Sequence, residues 1–341
     1  MPASDAEELR RALAWGVALP ESRAVRGGLL FGEPVGPVVA AIGTFDGVHR
    51  GHRELLAQAR ADARRRGLPF VAVTFDPDPS AVLETSAQPA LLSRDARLRM
   101  LWSMGLDGLL VCDFTPEVAA LDYREFMARL QGVLGLASVH VGEGFCLGAQ
   151  GLGTVERLGA WGAQAQVEVF GHGLLVLDGS PVSATRIRGD LERGDVQDAI
   201  RILGRYHFSH GTVVHGRGEG ASFGFPTANV VCPSGTVAPA SGVYGGYVVV
   251  DGLAWPAAVN AGLPPTFLAE VSQAAGPFLE CALVGFVGDL YGAGVDVVLM
   301  EELRPSRRFA DVGDLKDVVL GNIEQVRRRL GDSAVRLDEA R

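Results

Sequence analysis

Short apolar runs alternate with helical stretches through the first 190 or so residues. The apolar runs fall at 38–42, 70–75, 108–112, 138–141 and 167–170. Between them, residues 52–67, 93–104 and 122–134 carry the periodicity of amphipathic helices. Strand–helix alternation of this kind predicts a Rossmann-like parallel β-sheet with helices on both faces, and hence an α/β unit.

The pattern changes after about residue 205, where strand-like runs follow one another without a long helix between them. These runs are separated by turns rich in glycine and proline, and they fall at 207–214, 242–250, 255–260, 279–286 and 295–300. They predict a small antiparallel β-barrel with one closing helix over about 312–330. We therefore expect a first module over 1–190, a linker helix over 191–204 and a second module over 205–341.

Length and charge agree with a two-domain cytoplasmic protein. At about 150 residues per domain, 341 residues predict two domains. The formal net charge of −9 argues against a broad nucleic-acid or membrane-surface binder, although a local anion pocket is compatible with it. The N-terminus lacks the apolar region of a signal peptide, and no apolar run approaches the ~18 residues that a bilayer crossing needs.

The basic residues are almost all arginines. The chain has a single lysine, Lys316, among its 31 basic residues, and no Gly-Lys-Ser/Thr string occurs. This excludes a Walker A loop. A bound triphosphate would have to be held by backbone N–H groups, histidine, arginine, hydroxyl groups and a metal ion.

The segment GTFDGVHRGH (43–52) carries the first candidate site. It follows a predicted strand and opens a predicted helix, with His49 and His52 three residues apart in the first helical turn. Gly43 and Gly47 let a ligand approach the backbone, and the helix N-terminus attracts an anion such as a triphosphate. This suits nucleotidyl transfer, in which an already ionised phosphate attacks and the donors stabilise the charge that develops. The alternative is that the two histidines only cap a helix or bind an adventitious metal.

A second polar segment, PVSATRIRGDLERGD (181–195), places hydroxyl groups and guanidinium groups just before a predicted helix. Ser183, Thr185, Arg186 and Arg188 could hold the far phosphates of the same nucleotide. Alone, an arginine-rich helix start is more often a solvated face.

A glycine-rich segment, GTVVHGRGEGASFGFPTANV (211–230), lies among the predicted strands. Its first glycines imitate a dinucleotide fingerprint, but no helix can open through Phe225-Pro226. We expect a flap that cradles ATP phosphates, with contacts at Gly216, Gly218, Gly220, Gly224 and Pro226. A turn-rich loop without a ligand is the alternative.

The end of that segment and a later strand supply oxygen ligands and a base. The Thr227 hydroxyl and Asn229 carboxamide lie on one face of an extended segment, and such oxygens suit Mg²⁺ held jointly with ATP. Transfer of a phosphoryl group to an alcohol calls for a proton acceptor, and Glu280 is the candidate. Asn229 could instead cap a turn, and strand glutamates are often solvated.

Several strings extend these patterns over nearly the whole chain: GTFDGVHRGH (43–52), TFDPDPS (74–80), SATRIR (183–188), FGFPTAN (223–229), SGVYGGY (241–247), NAGLPPTF (260–267), DLYG (289–292) and LRPSRRF (303–309). With the glutamate at 280, they resemble the bacterial bifunctional riboflavin kinase/FAD synthetase family. PTAN followed by GVY and a later glutamate is the most specific part of that resemblance.

The resemblance implies an enzyme with two activities. It implies a rear barrel that converts riboflavin and ATP to FMN, with Thr227 and Asn229 at the Mg²⁺–ATP site and Glu280 as base. In the front module it implies adenylylation of FMN to FAD with release of pyrophosphate. The residues expected around that ATP are Gly43, Phe45, Asp46, Gly47, His49, His52, Thr185, Arg186 and Arg188. Its partners are then riboflavin, FMN and ATP, with no nucleic acid or membrane partner, while self-association is left open.

The front module departs from the family pattern in two loops. Asp78 stands where the family usually has histidine between prolines, and Gly144 and Cys146 replace polar residues. These changes motivate an alternative, a riboflavin kinase whose front module is degenerate or acts on another flavin or nucleotide. A non-catalytic flavin-binding protein is the alternative of another class. The sequence leaves open how FMN passes between the sites.

Overall fold

The computed structural model describes residues 2–34, 36–83, 87–215, 227–262, 276–307 and 312–338. They fall into two units. The α/β unit comprises Val17–Gln88 and Arg97–Ser183, and the barrel unit comprises Met1–Gly16, Pro89–Ala96 and Ala184–Arg341. The expected parallel α/β sheet and antiparallel barrel are both confirmed.

The secondary structure is numbered in chain order. The helices are α1 Pro2–Leu13, α2 Arg50–Arg66, α3 Pro79–Leu83, α4 Arg94–Trp102, α5 Pro116–Ala119, α6 Tyr123–Leu134, α7 Val155–Ala165, α8 Ala184–Glu192, α9 Val196–Leu203 and α10 Val312–Leu330. The strands are β1 Ser22–Val25, β2 Gly28–Phe31, β3 Val38–Ile42, β4 Phe70–Asp76, β5 Gly108–Asp113, β6 Leu136–Gly142, β7 Cys146–Leu147, β8 Gly153–Thr154, β9 Glu168–His172, β10 Val176–Leu177, β11 Ser180–Pro181, β12 His207–Val214, β13 Thr227–Val231, β14 Gly242–Val250, β15 Leu253–Ala261, β16 Phe278–Leu283, β17 Gly294–Pro305 and β18 Val335–Arg336. Within these described ranges, we find no helix with the length and apolar character that a bilayer crossing requires.

The sheet of the α/β unit has the order β1-β2-β5-β4-β3-β6-β9. Strands β3, β4, β5, β6 and β9 are parallel, and the hairpin β1-β2 is antiparallel at one edge. Every residue of β3 is buried, because α2 covers one face while α6 and α7 contribute to the core on the other. Burial on both faces explains why these strands appear in the sequence as continuous apolar runs.

The barrel closes on itself through antiparallel pairs. Its ring runs β14-β17-β12-β13-β16-β15, and β15 pairs again with β14. Side chains of alternate residues fill the interior, among them Val230, Tyr244, Val259 and Leu279. Helix α10 packs beside β14 and β15, as expected for the closing helix. Along β13, every second residue is only partly buried, so a site can form on that face of the strand.

The predicted linker helix over 191–204 is wrong as a single element. The structure has two helices, α8 and α9, because Gly194 adopts a left-handed φ of 82° between them. Asp195 then caps α9, its side chain accepting the N–H of Asp198 at 3.0 Å. The glycine ends one helix and the aspartate after it begins the next, within one continuous apolar pattern.

The N-terminal helix α1, for which the sequence analysis made no prediction, packs on the barrel unit. Leu9, Ala12 and Leu13 are buried, and α1 contacts β12 and β18. Arg10 Nε donates to the carbonyl of Leu337 at 2.6 Å, so the two ends of the chain are tied together.

Truncation of Leu9 to alanine is expected to destabilise the barrel unit by about 2–5 kcal/mol, because the side chain is fully buried and leaves a cavity. Urea unfolding gives the free energy, and hydrogen exchange of β12 and β18 locates the loss. Glu7→Ala, an exposed change on the same helix, is the matched control. Equal stability of the two variants would show that α1 does not support the barrel.

Candidate functional site

The carboxyl edge of the parallel sheet changes winding direction between β3 and β6. From β3 the strands continue through β4 to β5 on one side, and β6 and β9 lie on the other. Ligands of open α/β sheets bind outside the carboxyl ends of the strands at such a switch point. The loops that flank it begin at Gly43, after β3, and at Glu143, after β6. The structure thus puts the GTFDG segment where a ligand is expected.

The loop after β3 makes a strained turn before α2 begins. Phe45, Gly47 and Val48 have φ values of 52°, 71° and 42°, all in the left-handed region. Glycine adopts this conformation freely, but a β-branched valine does so at a cost. Backbone strain of this kind persists where the surroundings over-determine it, typically at binding sites.

The side chains of Phe45 and Asp46 are buried beneath this turn. The Phe45 ring lies edge-on to the His52 ring, with centroids 5.3 Å apart, and a Cβ at Gly43 would come within 3.2 Å of it. Phe45 therefore supports His52 from below. In this arrangement, contacts of the turn with a nucleotide would come from its backbone.

His49 and His52 stack at the N-terminus of α2. Their ring centroids are 3.6 Å apart with an interplanar angle of 16°. His49 is the N-cap, and its Nδ1 accepts the backbone N–H of His52 at 3.3 Å. A neutral His49 therefore carries its proton on Nε2. Gly51 leaves room for this ring, because a Cβ there would lie 3.3 Å from it.

His52 has a buried Nδ1 atom without a hydrogen-bond partner among the described residues. Burial, and after it the neighbouring His49, lower the pKa of His52 well below its ordinary value of 6.5, so the ring is neutral near pH 7. A neutral imidazole still has one N–H to donate, and a buried polar atom without a partner is costly unless a ligand satisfies it. An approaching phosphate would raise the pKa again.

Of the three residues that depart from the family pattern, Asp78 makes local hydrogen bonds. Asp78 Oδ1 accepts the N–H of Ser80 at 3.0 Å and its hydroxyl at 2.8 Å, which stabilises the start of α3. After β6, a Cβ at Gly144 would meet nothing within 4 Å, and Cys146 is an exposed free thiol. A side chain at position 144 would therefore begin in open space.

Arg97 is a residue of this site that the sequence analysis missed. It is buried, its Nη1 donates to the carbonyl of Thr44 at 3.2 Å, and its Nη2 donates to the carbonyl of Phe75 at 2.8 Å. The guanidinium therefore joins the loop after β3 to the end of β4. No local signal identifies it, because its segment contains several arginines and resembles a solvated helix.

The other predicted phosphate ligands lie next to or within helix α8. Ser183 directly precedes it, and Thr185 is in its first turn. Arg186 Nη2 donates to Asp198 Oδ2 at 3.2 Å, and Arg188 Nε donates to the carbonyl of Pro89 at 2.6 Å. A role of these residues at ATP stays a prediction.

A second polar cluster lies on the wall of the barrel. Thr227 and Asn229 alternate along β13 with buried Ala228, and Asn229 stands opposite Glu280 of β16. The Thr227 hydroxyl donates to Glu280 Oε1 at 3.0 Å. The strand pairing thus brings together three residues that the sequence analysis selected from separate segments.

Asn260 also belongs to this cluster, although only the string around it drew attention in the sequence. The pairing of β15 with β16 places Asn260 opposite Glu280 on the side away from Asn229. Directly opposed residues have Cβ atoms about 4.5–5.5 Å apart. The Glu280 carboxylate is therefore flanked by a carboxamide on each neighbouring strand. The register that creates this arrangement has no signal in the local sequence.

The chemistry of this wall fits a magnesium ion. The Thr227 hydroxyl donates its one proton to Glu280, so the lone pairs of the Thr227 oxygen are available for a cation. The Asn229 carbonyl is a second hard oxygen. Among the described residues, no group of three His, Cys, Asp or Glu side chains could hold a metal. Two neutral oxygens suit an ion that arrives together with ATP phosphates. The predicted phosphate contacts Gly216, Gly218, Gly220, Gly224 and Pro226 lie outside the described residues.

Two family models match the chain in tandem. The FAD synthetase model matches residues 33–186, and the riboflavin kinase model matches residues 203–330.

Several curated proteins are similar along most of their length, each named bifunctional riboflavin kinase/FMN adenylyltransferase. The one from Pseudomonas fluorescens is 35% identical over 299 residues, which cover 87% of this chain and 94% of the relative. The one from Escherichia coli is 35% identical, with 82% and 88% covered, and the one from Bacillus subtilis is 31% identical, with 82% and 89% covered.

A solved structure from Streptococcus pneumoniae, described as a macrolide-efflux protein, has the same architecture. It superposes with a TM-score of 0.77 at 30% identity and covers 86% of this chain and 95% of its own.

Proposed function

We propose, since this chain belongs to the family of bifunctional riboflavin kinases/FMN adenylyltransferases, that it makes both FMN and FAD. The barrel unit would phosphorylate riboflavin, and the α/β unit would adenylylate the FMN so formed. This assignment follows the order in which the two family models match the chain. The module boundaries that the sequence predicts at residues 190 and 205 are part of this proposal.

In the barrel, Glu280 would accept the proton of the ribityl 5′-hydroxyl as its oxygen attacks the γ-phosphate of ATP. The bond from the γ-phosphorus to ADP breaks, and FMN and ADP leave. The hydrogen bond from Thr227 holds the carboxylate, so the base does not have to be oriented at the moment of reaction. Thr227 and Asn229 would hold Mg²⁺, which neutralises phosphate charge when it is bound.

In the α/β unit, the phosphate of FMN would attack the α-phosphate of a second ATP, with pyrophosphate as the leaving group. The attacking oxygen is already ionised near pH 7, so no general base is needed. His49, His52 and the backbone N–H groups at the start of α2 would stabilise the charge that develops on the phosphates.

One observation carries the proposal: the 3.0 Å hydrogen bond between Thr227 and Glu280, with Asn229 opposite the same carboxylate. A base and a pair of magnesium ligands on one wall is what phosphoryl transfer to an alcohol requires. We further propose that the enzyme acts in the cytoplasm, where it would draw ATP for both steps. Self-association stays a prediction.

A product assay tests the function. The purified protein is incubated with riboflavin, ATP and Mg²⁺, and flavins are separated by chromatography over time. FMN should appear first and FAD second, and neither should form when ATP is omitted. FMN without FAD at any ATP or metal concentration would support a degenerate front module. Riboflavin binding without either product would support a non-catalytic flavin-binding protein.

A further inference from the structure

A network of hydrogen-bonded polar side chains runs through the α/β unit beside the candidate adenylyltransferase site. It consists of Asp62, Ser138, His140 and His172. It starts at Asp62 of α2, which accepts the hydroxyl of Ser138 at 2.7 Å and pairs with His140 Nε2 at 3.3 Å. His140 Nδ1 in turn lies 2.8 Å from Nε2 of His172. Asp62, Ser138 and His140 are buried, whereas His172 is half-buried. None of these residues has a part in the two reactions described above.

The hydrogen-bond pattern assigns the protons. A carboxylate can only accept, so His140 donates from Nε2 to Asp62. A neutral His140 then accepts at Nδ1, and His172 must donate from Nε2. Each imidazole therefore has one defined tautomer, and the His140–His172 bond requires that one ring nitrogen of the pair lacks a proton.

The His172 end of this network lies at the edge of the sheet where the candidate site is. His172 is the last residue of β9 and stands opposite Gly142, the last residue of β6. Its carbonyl accepts the N–H of Glu143 at 2.7 Å. Glu143 begins the loop 143–148, which flanks the switch point next to the GTFDG turn. His172 therefore anchors one wall of the candidate site, and Asp62 anchors the helix whose N-terminus carries His49 and His52.

The groups that face the two imidazoles come mainly from α2. Burial lowers the pKa of His140, Asp62 opposes this, and the neighbouring His172 and Arg66 lower it further. Burial likewise lowers the pKa of His172, and Glu54 of α2 opposes it. Glu143 points toward Gly173, with a carboxylate oxygen 3.8 Å from the Cβ position there. Helix α7 lies on the opposite face of β9, where Val155 packs against Gly171.

Asp62 itself stays ionised over the whole range in which the histidines titrate. Burial alone would raise its pKa, but hydrogen bonds from Ser138, Arg66 and His140 outweigh burial and lower the pKa to about 2. Acidification therefore acts on the imidazole pair first. One added proton leaves their hydrogen bond intact, because a cationic imidazole still donates to the unprotonated nitrogen of its neutral neighbour. Only when both rings are protonated do two N–H groups face each other across 2.8 Å, and the hydrogen bond then breaks.

We propose that Asp62, His140 and His172 are positioning residues that hold loop 143–148 for adenylyl transfer, and that they do so until both imidazoles are protonated and their hydrogen bond breaks. The proposal rests on the proposed function of the α/β unit. The phosphorylation of riboflavin uses the barrel and not this network. When acidification breaks the network, FAD formation alone should be lost.

The test measures both activities of the full-length protein between pH 5 and 8. His172→Leu removes the donor and is expected to lower kcat for FAD formation from FMN about 10- to 100-fold at pH 7.5, with FMN formation unchanged. His172→Gln keeps a donor at the position of Nε2 but cannot titrate, so it should retain most activity and lose the acid limb of the wild-type FAD profile. Glu156→Gln, an exposed change on helix α7 of the same unit, is the matched control and should behave as wild type.

A second measurement keeps the inference separate from the proposed function. Hydrogen exchange of residues 143–148, corrected for the intrinsic effect of pH, should rise toward the acid end of this range in the wild type and stay low in His172→Gln. If the wild type makes no FAD, the proposed function fails and this measurement alone decides the inference. Identical exchange and identical pH profiles in all three variants and the wild type would overturn it.

Discussion

The Glu280→Gln enzyme is expected to form FMN from riboflavin about 10²- to 10⁴-fold more slowly than the wild type, while it converts added FMN to FAD at the wild-type rate. Glutamine keeps the size of the side chain and can still accept the Thr227 hydroxyl, so the wall of the barrel is preserved. What it loses is the ability to take a proton from the ribityl hydroxyl. The change therefore separates the chemical role of Glu280 from its structural role.

Steady-state rates of FMN and FAD formation, measured on one preparation, check this expectation. Riboflavin binding followed by flavin fluorescence should change little, because the base acts in the transition state. Glu302→Gln, the same exchange at an exposed position of β17, is the control for a glutamate elsewhere in the barrel. Wild-type FMN formation by Glu280→Gln would mean that the base is another group or that none is needed.

The His52→Ala enzyme is expected to lose FAD formation by about 10²- to 10³-fold and to keep FMN formation intact. His52 lies in the first turn of α2, and its unpartnered Nδ1 is the buried polar atom that a nucleotide would satisfy. His52 is a cleaner target than His49, because His49 also caps α2 and its loss would cost about 0.5–2 kcal/mol of stability.

The loss should fall mainly on kcat, since the histidine is proposed to stabilise charge that appears during transfer. His210→Ala is the matched control, because His207 and His210 repeat the same spacing on strand β12, where His210 pairs with Asp296. That variant should form FAD from FMN normally. If His52→Ala forms FAD as fast as His210→Ala and the wild type do, the side chain of His52 has no part in adenylyl transfer.

Much of the fold could be predicted because its elements bury complete stretches of sequence. The strand β3 coincides with the apolar run 38–42, and the helix that follows ends where Gly67 takes a left-handed φ of 66°. The apolar pattern did not predict the break between α8 and α9, because the pattern continues through Gly194, which ends the first helix. It gave no prediction for α1, because the barrel that buries Leu9 lies almost two hundred residues further along the chain.

The candidate sites also differ in whether their residues are close together in the sequence. His49 and His52 are neighbours in the chain, so their spacing on a helix already predicts that their rings share one side. Arg97, Asn260 and the pair His140–His172 could not be selected in this way. Their partners are distant in sequence, and single arginines, asparagines and histidines occur throughout the chain.

Periodicity and motif spacing are local properties, so they were enough to predict a parallel α/β half and a barrel half and to select the short motifs as candidates for phosphate chemistry. Long-range packing decides which strand ends meet at one edge, which carboxamides flank Glu280 and which carboxylate faces His140. Strand register and helix packing set these contacts, and both depend on the burial of whole faces at once rather than on any short segment.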